Sequence, residues 1–218
     1  MKKTLRILLL FILILCLNII TARAQTDLSE GWEVKVMNER QPPKQIMDSI
    51  GVKKGMVIGE VGAGRGRFTV YLAREVGSTG KILANDIDEG AINSLKSRIQ
   101  RLGFTNVQTI LGKPDDPLFP KNSLDMAIMV WVYHMIEKPD ELLKKVRLSL
   151  KSGATLVILD PCDAEIDEEF HIDRKNSKTH IPTIKERIEK SAKESGFEII
   201  KVETFLPKDK IYILKIKN

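Results

Sequence analysis

The sequence predicts a doubly wound α/β domain: a mostly parallel, seven-stranded sheet finished by a C-terminal antiparallel hairpin strand. Three observations carry this. A short apolar run holding one acid, Glu60, breaks into glycines at Gly62, Gly64 and Gly66, which reads as a buried strand turning sharply into a helix. Strand-like runs then alternate with helical patterns of ten to fifteen residues, the signature of βαβ units. Two last strand-like runs, 197–205 and 210–216, are joined by Leu206-Pro207-Lys208-Asp209, a hairpin spacing.

The 218-residue chain divides into three parts. Residues 1–24 read as a signal peptide. Lys2, Lys3 and Arg6 precede an apolar run over 8–17, and Ala22-Arg23-Ala24 offers a cleavage site before Gln25. An uncleaved anchor is the alternative, although the apolar stretch 5–20 is short for a membrane span. Either reading expects an exported domain, in the periplasm or cell envelope, because the positive cluster lies ahead of the apolar run. Residues 25–55 form a lead-in, and 56–218 form the domain proper.

The lead-in begins polar, with scattered Trp32, Val34 and Val36. Pro42 and Pro43 then open a short helix through Ile46, Met47 and Ile50. The first strand is expected over 56–61, and the helix after the glycines over 67–76, with Phe68, Leu72 and Val76 on one face. The second strand, 81–85, ends at Asp86-Ile87-Asp88, where Asp88 suits the cap of a helix over 89–102. Gly103 stops that helix. A third strand over 107–111 runs into a proline-rich turn, 112–122, and a fourth strand covers 124–131. A helix over 140–150, opened by Pro139 and closed by Lys151-Ser152-Gly153, leads to a fifth strand over 154–159. Residues 160–178 are charged and without periodicity and read as a solvated lid, and a helix over 183–195 precedes the final hairpin.

Charge and cysteine content narrow the function classes. The formal charge is +6, but residues 1–24 hold four basic residues and no acid, so the remainder carries 31 basic against 29 acidic residues, or +2. No basic stripe with interleaved aromatics appears, which argues against a nucleic-acid partner. Membrane contact is expected only through the N-terminal segment, if it is uncleaved. Cys16 and Cys162 offer no disulfide in a processed chain, and no zinc spacing exists.

Two cofactor classes use a glycine turn of this kind. A dinucleotide site wants G-x-G-x-x-G. Here the third glycine comes one position early, and Arg67 stands where that pattern wants glycine. The spacing Glu60-x-Gly62-x-Gly64-x-Gly66 instead resembles the cofactor turn of class I methyltransferases that use S-adenosylmethionine (SAM). The resemblance covers about residues 40–217 and implies the Rossmann-like methyltransferase fold with SAM as cofactor. It implies that the methionine half of SAM lies on the glycine turn and that Glu60 orients the turn. It also implies that Asp86 takes both ribose hydroxyls and that Ile87 packs on adenine. A carboxylate suits that ribose role because it is acceptor-only and takes two donors at once. The family's usual Gly-Asp after the third strand is altered to Gly112-Lys113-Pro114-Asp115-Asp116-Pro117, which leaves the adenine contact unassigned: either Asp115 or Asp116 takes it over, or the stretch is a proline-stiffened surface turn.

The fourth strand ends in Trp131-Val132-Tyr133-His134, at the sheet edge where open α/β sheets bind ligands. His134 has two open roles, general base or a histidine that ties down the loop. Tyr133 either shapes an acceptor pocket or is a buried aromatic. The acids of 165–173, with His171, show no ordered ligand spacing for a metal. The expected activity is SAM-dependent methyl transfer to an acceptor, small molecule or protein, that the sequence does not name. A non-catalytic binding protein with the same fold stands as the alternative, and a nicotinamide oxidoreductase is disfavoured by the glycine spacing.

Overall fold

The computed structural model describes residues 31–174 and 176–217. The proposed signal peptide, with its cleavage site at Ala24, lies outside the described residues, as do residues 25–30. The elements run in the order α1 (Trp32–Arg40), α2 (Pro43–Ile50), β1 (Val57–Val61), α3 (Thr69–Val76), β2 (Lys81–Asp86), α4 (Glu89–Arg101), β3 (Val107–Leu111) and β4 (Leu124–Val130). After a 3₁₀ turn (Tyr133–Met135) come α5 (Pro139–Ser149), β5 (Leu150–Pro161), α6 (Asp163–Glu169), α7 (Ile184–Ser195), β6 (Phe197–Glu203) and β7 (Asp209–Ile216). The strands form one seven-stranded sheet in the order β3-β2-β1-β4-β5-β7-β6. β1 to β5 pair in parallel, and β7 runs antiparallel to both β5 and β6. This is the predicted architecture, including the hairpin strand.

The central strands are largely apolar, Glu60 of β1 and Asp125 of β4 apart, because both sheet faces are covered. Side chains alternate across a strand. Met126 and Ile128 of β4 therefore join Val157 and Leu159 of β5 in a core under α2 and α3, together with Ile46, Met47, Leu72 and Val76. Ala127, Met129, Leu156 and Ile158 join the opposite core under α5 and α7, with Leu143, Val146 and Ile188. α7 carries a full capping box, with the Thr183 side chain on the Glu186 amide and the Glu186 side chain returned to the Thr183 amide. Asp88 caps α4 as expected, accepting from the amides of Gly90 and Ala91.

Three expectations are corrected. The polar start of the lead-in forms a helix, α1. It has no regular apolar stripe to announce it, and its C-terminal residues are held by polar contacts. Residues 151–153 do not close α5. That helix ends at Ser149, Leu150 already pairs with Leu124, and a register shift lets Lys151, Ser152 and Gly153 bulge before pairing resumes at Met126 and Thr155. Lys151 is fixed there by Asp125 at 2.8 Å, and Asp125 also accepts the Val57 amide at 2.8 Å, which ties β1, β4 and β5 together. The charged stretch after β5 holds a short helix, α6, whose Ile166 is buried. Among the described residues no helix is long and apolar enough to cross a membrane.

Candidate active site

The glycine turn leaves β1 at Val61 and crosses the carboxyl end of the sheet. Gly62 has a positive φ of 71°, and a Cβ there would strike the Val132 side chain from the β4 loop. Gly64 also has a positive φ, with nothing within 4 Å of where a Cβ would stand. Glycine alone satisfies both demands, one a close approach and the other an open backbone. The Ala63 amide donates to the Asn85 carbonyl at 2.8 Å, and the Gly66 amide to the Ala63 carbonyl at 2.9 Å, so the turn is fastened to the end of β2.

Two carboxylates flank this turn. Glu60 is 2% exposed and accepts from the Thr69 hydroxyl at 2.5 Å. Burial pushes its carboxyl up to about 7, against the pull of the Thr69 hydrogen bond and the nearby Arg67 charge, with Asp86 adding to the rise. Asp86, half-buried at the end of β2, accepts the Gly64 amide on one oxygen at 2.7 Å and the Asp88 amide on the other at 3.0 Å. A carboxylate has about four acceptor sites, so two remain for a ligand. Ile87 is 59% exposed, and Leu111, which ends β3 in register with Asp86, is 47% exposed. These neighbouring strand ends offer apolar surface to a flat ring. Asp116 is absorbed into its own turn: it accepts the Leu118 amide at 2.8 Å and pairs with Lys145 at 3.5 Å. Asp115 is the exposed member of that pair.

At the ends of β4 and β5 the structure brings His134 onto Asp160. The carboxylate accepts the His134 backbone amide at 2.8 Å and lies 3.0 Å from Nδ1. Both side chains are buried, and burial pushes the Asp160 carboxyl up, with the His134 hydrogen bond pulling the other way. Arg187 of α7 donates to the His134 and Ile136 carbonyls. Tyr133 is fully buried in the α5–α7 core, its hydroxyl 2.7 Å from that of Ser191 and pushed up to about 12 by burial. Of its two open roles the structure holds the buried aromatic. A hydroxyl enclosed on α7 is not presented to an acceptor.

Sequence reasoning missed a cluster built around Arg40 at the end of α1. Arg40 grips both oxygens of buried Asp209, at 2.8 and 3.1 Å, and reaches Glu165 at 3.0 Å. Its guanidinium lies 4.4 Å from the centre of the Trp131 ring, whose Nε1 donates to Asp209 at 2.6 Å. Helix α1 is thus fastened over the ends of β4 and β7. Nothing in the local pattern of 26–40 announces this, because the partners lie more than 90 residues away. Asn38 and Gln41 also meet Arg67, which follows the third glycine of the turn.

Sheet order, hairpin strand and acid-flanked glycine turn together define the class I fold of SAM-dependent methyltransferases. Residues 52–209 match the family described as "Methyltransferase domain", and the chain belongs to it. It is 26% identical over 115 residues to the ubiquinone/menaquinone biosynthesis C-methyltransferase UbiE of Escherichia coli O1:K1, covering 52% of this chain and 46% of that protein. The chain therefore spans about half the length of the curated relatives it matches. In fold it is similar to a SAM-dependent methyltransferase from Aquifex aeolicus, with a TM-score of 0.70, 22% identity and coverage of 84% of this chain and 97% of that one. It is also similar to the geranyl diphosphate C-methyltransferase of Streptomyces coelicolor A3(2), solved with Mg2+, geranyl diphosphate and S-adenosyl-L-homocysteine (SAH), at TM-score 0.64 and 13% identity over 82% and 79% of the two chains.

The residues present fit SAM. Gly64 leaves its backbone open, Asp86 has acceptor sites to spare beside it, and Ile87 and Leu111 present apolar surface next to that carboxylate.

Proposed function

We propose that this chain binds SAM on the Gly62–Gly64–Gly66 turn and transfers its methyl group to a nucleophilic acceptor. The observation that carries the reading is Asp86. Its carboxylate bridges the Gly64 amide and the start of α4 while keeping acceptor sites open, so one group fixes the turn and is set to take ribose hydroxyls. Glu60 holds the turn from beneath through Thr69, and Ile87 offers a face for adenine. Asp115, exposed on the turn after β3, is the acid available to the adenine amino group. SAM brings a methyl group already bonded to a good sulfonium leaving group, so the protein contributes chiefly alignment.

The acceptor side is assigned to the ends of β4 and β5. With Nδ1–H given to Asp160, the His134 ring carries its lone pair on Nε2. That nitrogen takes the acceptor's proton where the acceptor must lose one. The experiment is a thermal-shift and calorimetric comparison of SAM, SAH and NAD. SAM and SAH raise the melting temperature of the folded chain and NAD does not, since a ligand that prefers the native state stabilises it. Absence of SAM and SAH binding at millimolar ligand overturns the reading.

A further inference from the structure

Gln41, just after α1, is wholly buried. Its Oε1 accepts from Arg67 Nη2 at 2.5 Å, yet among the described residues its Nε2 has no acceptor. Arg67 stands immediately after Gly66. Its hydrogen bonds go to two neutral amide oxygens, those of Gln41 and, at 3.4 Å, Asn38. Burial lowers its pKa while the nearby Glu60 charge pulls it back up. Among the described residues no carboxylate lies within ion-pair distance of it, in contrast to Arg40, which holds two.

A half-buried guanidinium without an ion-pair partner and a wholly buried amide donor without an acceptor are each costly. Here the two side chains are joined, Arg67 donating to Gln41 Oε1, beside the glycine turn. Their shared deficit is a single anion with more than one acceptor oxygen. A carboxylate fits, since a guanidinium offers it several coplanar donors. A phosphate dianion is disfavoured by the two acids, Glu60 and Asp86, that flank the same turn.

We propose that Arg67 and Gln41 Nε2 seat the α-carboxylate of the methionine half of the donor. This rests on the SAM reading above and adds to it the groups that recognise the amino-acid end. A simple clasp that holds α1 to the turn would need the Asn38, Gln41 and Arg67 contacts but not an orphaned donor. The seat also involves α1 in donor binding, because Asn38, on that helix, donates to the Tyr71 hydroxyl at 2.6 Å and accepts from Arg67.

The test is calorimetry on the purified full-length chain with SAH and with 5′-methylthioadenosine, which keeps the nucleoside and lacks the amino-acid carboxylate. Wild type is expected to bind SAH at least about tenfold more tightly. Arg67→Met and Gln41→Leu should each shrink that preference by roughly tenfold and leave 5′-methylthioadenosine affinity within about twofold. Arg67→Lys, which keeps the charge without the planar fork, should fall between. Where Arg67→Met fails to fold, Gln41→Leu and Arg67→Lys decide. An unchanged preference in the variants overturns the assignment, as does a parallel fall of both affinities together with the melting temperature. If wild type binds neither ligand, the SAM reading fails and this assignment fails with it.

Discussion

Glu60 and Asp86 bracket one turn from adjacent strands, and their surroundings give them different behaviour. Asp86 is partly exposed and accepts two amides, so it stays a hydrogen-bond acceptor at the mouth of the site. Asp86→Ala should lower SAM affinity roughly ten- to a hundredfold, on the scale of charge-assisted hydrogen bonds of about 1.5–3 kcal/mol, with the fold retained. Calorimetry and a melt on the same sample check this, and wild-type affinity in the variant would rule out the ribose role. Glu60 is enclosed, and its folded-state pKa of about 7 lies above the ordinary 4.5. The sign follows from proton binding: between those values the folded chain holds the proton and the unfolded chain does not. The stability that Glu60 contributes is therefore fully present below about pH 4.5 and is lost as pH rises through 7. Relative to Glu60→Gln, wild type should lose about 3 kcal/mol across that span. Urea titrations of both proteins from pH 4.5 to 8 measure it, and parallel curves would refute it. Both acids were legible in the sequence by position. The raised pKa of Glu60 was not, because burial is a property of the packed sheet.

At the scale of elements, the sheet strands and most helices are written locally, and α1 and α6 are the exceptions. Helix α2 shows Ile46, Met47 and Ile50 at helical spacing and buries all three. Helix α1 shows no such stripe, and Arg40 fastens its end to Asp209, Glu165 and Trp131. Removing one partner of a buried ion pair leaves the other uncompensated. Arg40→Ala should therefore cost about 3 kcal/mol of unfolding free energy by denaturant titration. Arg40→Lys should recover only part of this, because an ammonium cannot reproduce the two-pronged grip on Asp209. A loss below about 1 kcal/mol would show that α1 is held by something else. The bulge at Lys151–Gly153 was misread for a related reason. Lys-Ser-Gly after a helix is a fair stop signal, and only the pairing of Leu150 with Leu124 shows that the strand has begun.

For the whole molecule, the N-terminal segment expects export, and we propose cleavage after Ala24 to give a chain beginning at Gln25. N-terminal sequencing of the envelope fraction should find Gln25, and Met1 retained there would refute the cleavage. The sequence by itself determined the fold class, the order of the strands and the family, and it pointed to the glycine turn and Asp86 that we propose for the donor side. Those features are set by short-range rules: period-two and period-3.6 apolar patterns, glycines where the backbone must turn tightly, and an acid at a strand end. Tertiary structure alone decided that Tyr133 is core, that His134 is fixed by Asp160, that Arg40 clamps α1, and that Gln41 and Arg67 meet beside the glycine turn. Each of these depends on the burial of polar groups and on partners 26 to 169 residues apart. Such partners leave no periodicity in the chain, and only the closed sheet, with its helices docked, brings them within hydrogen-bonding reach.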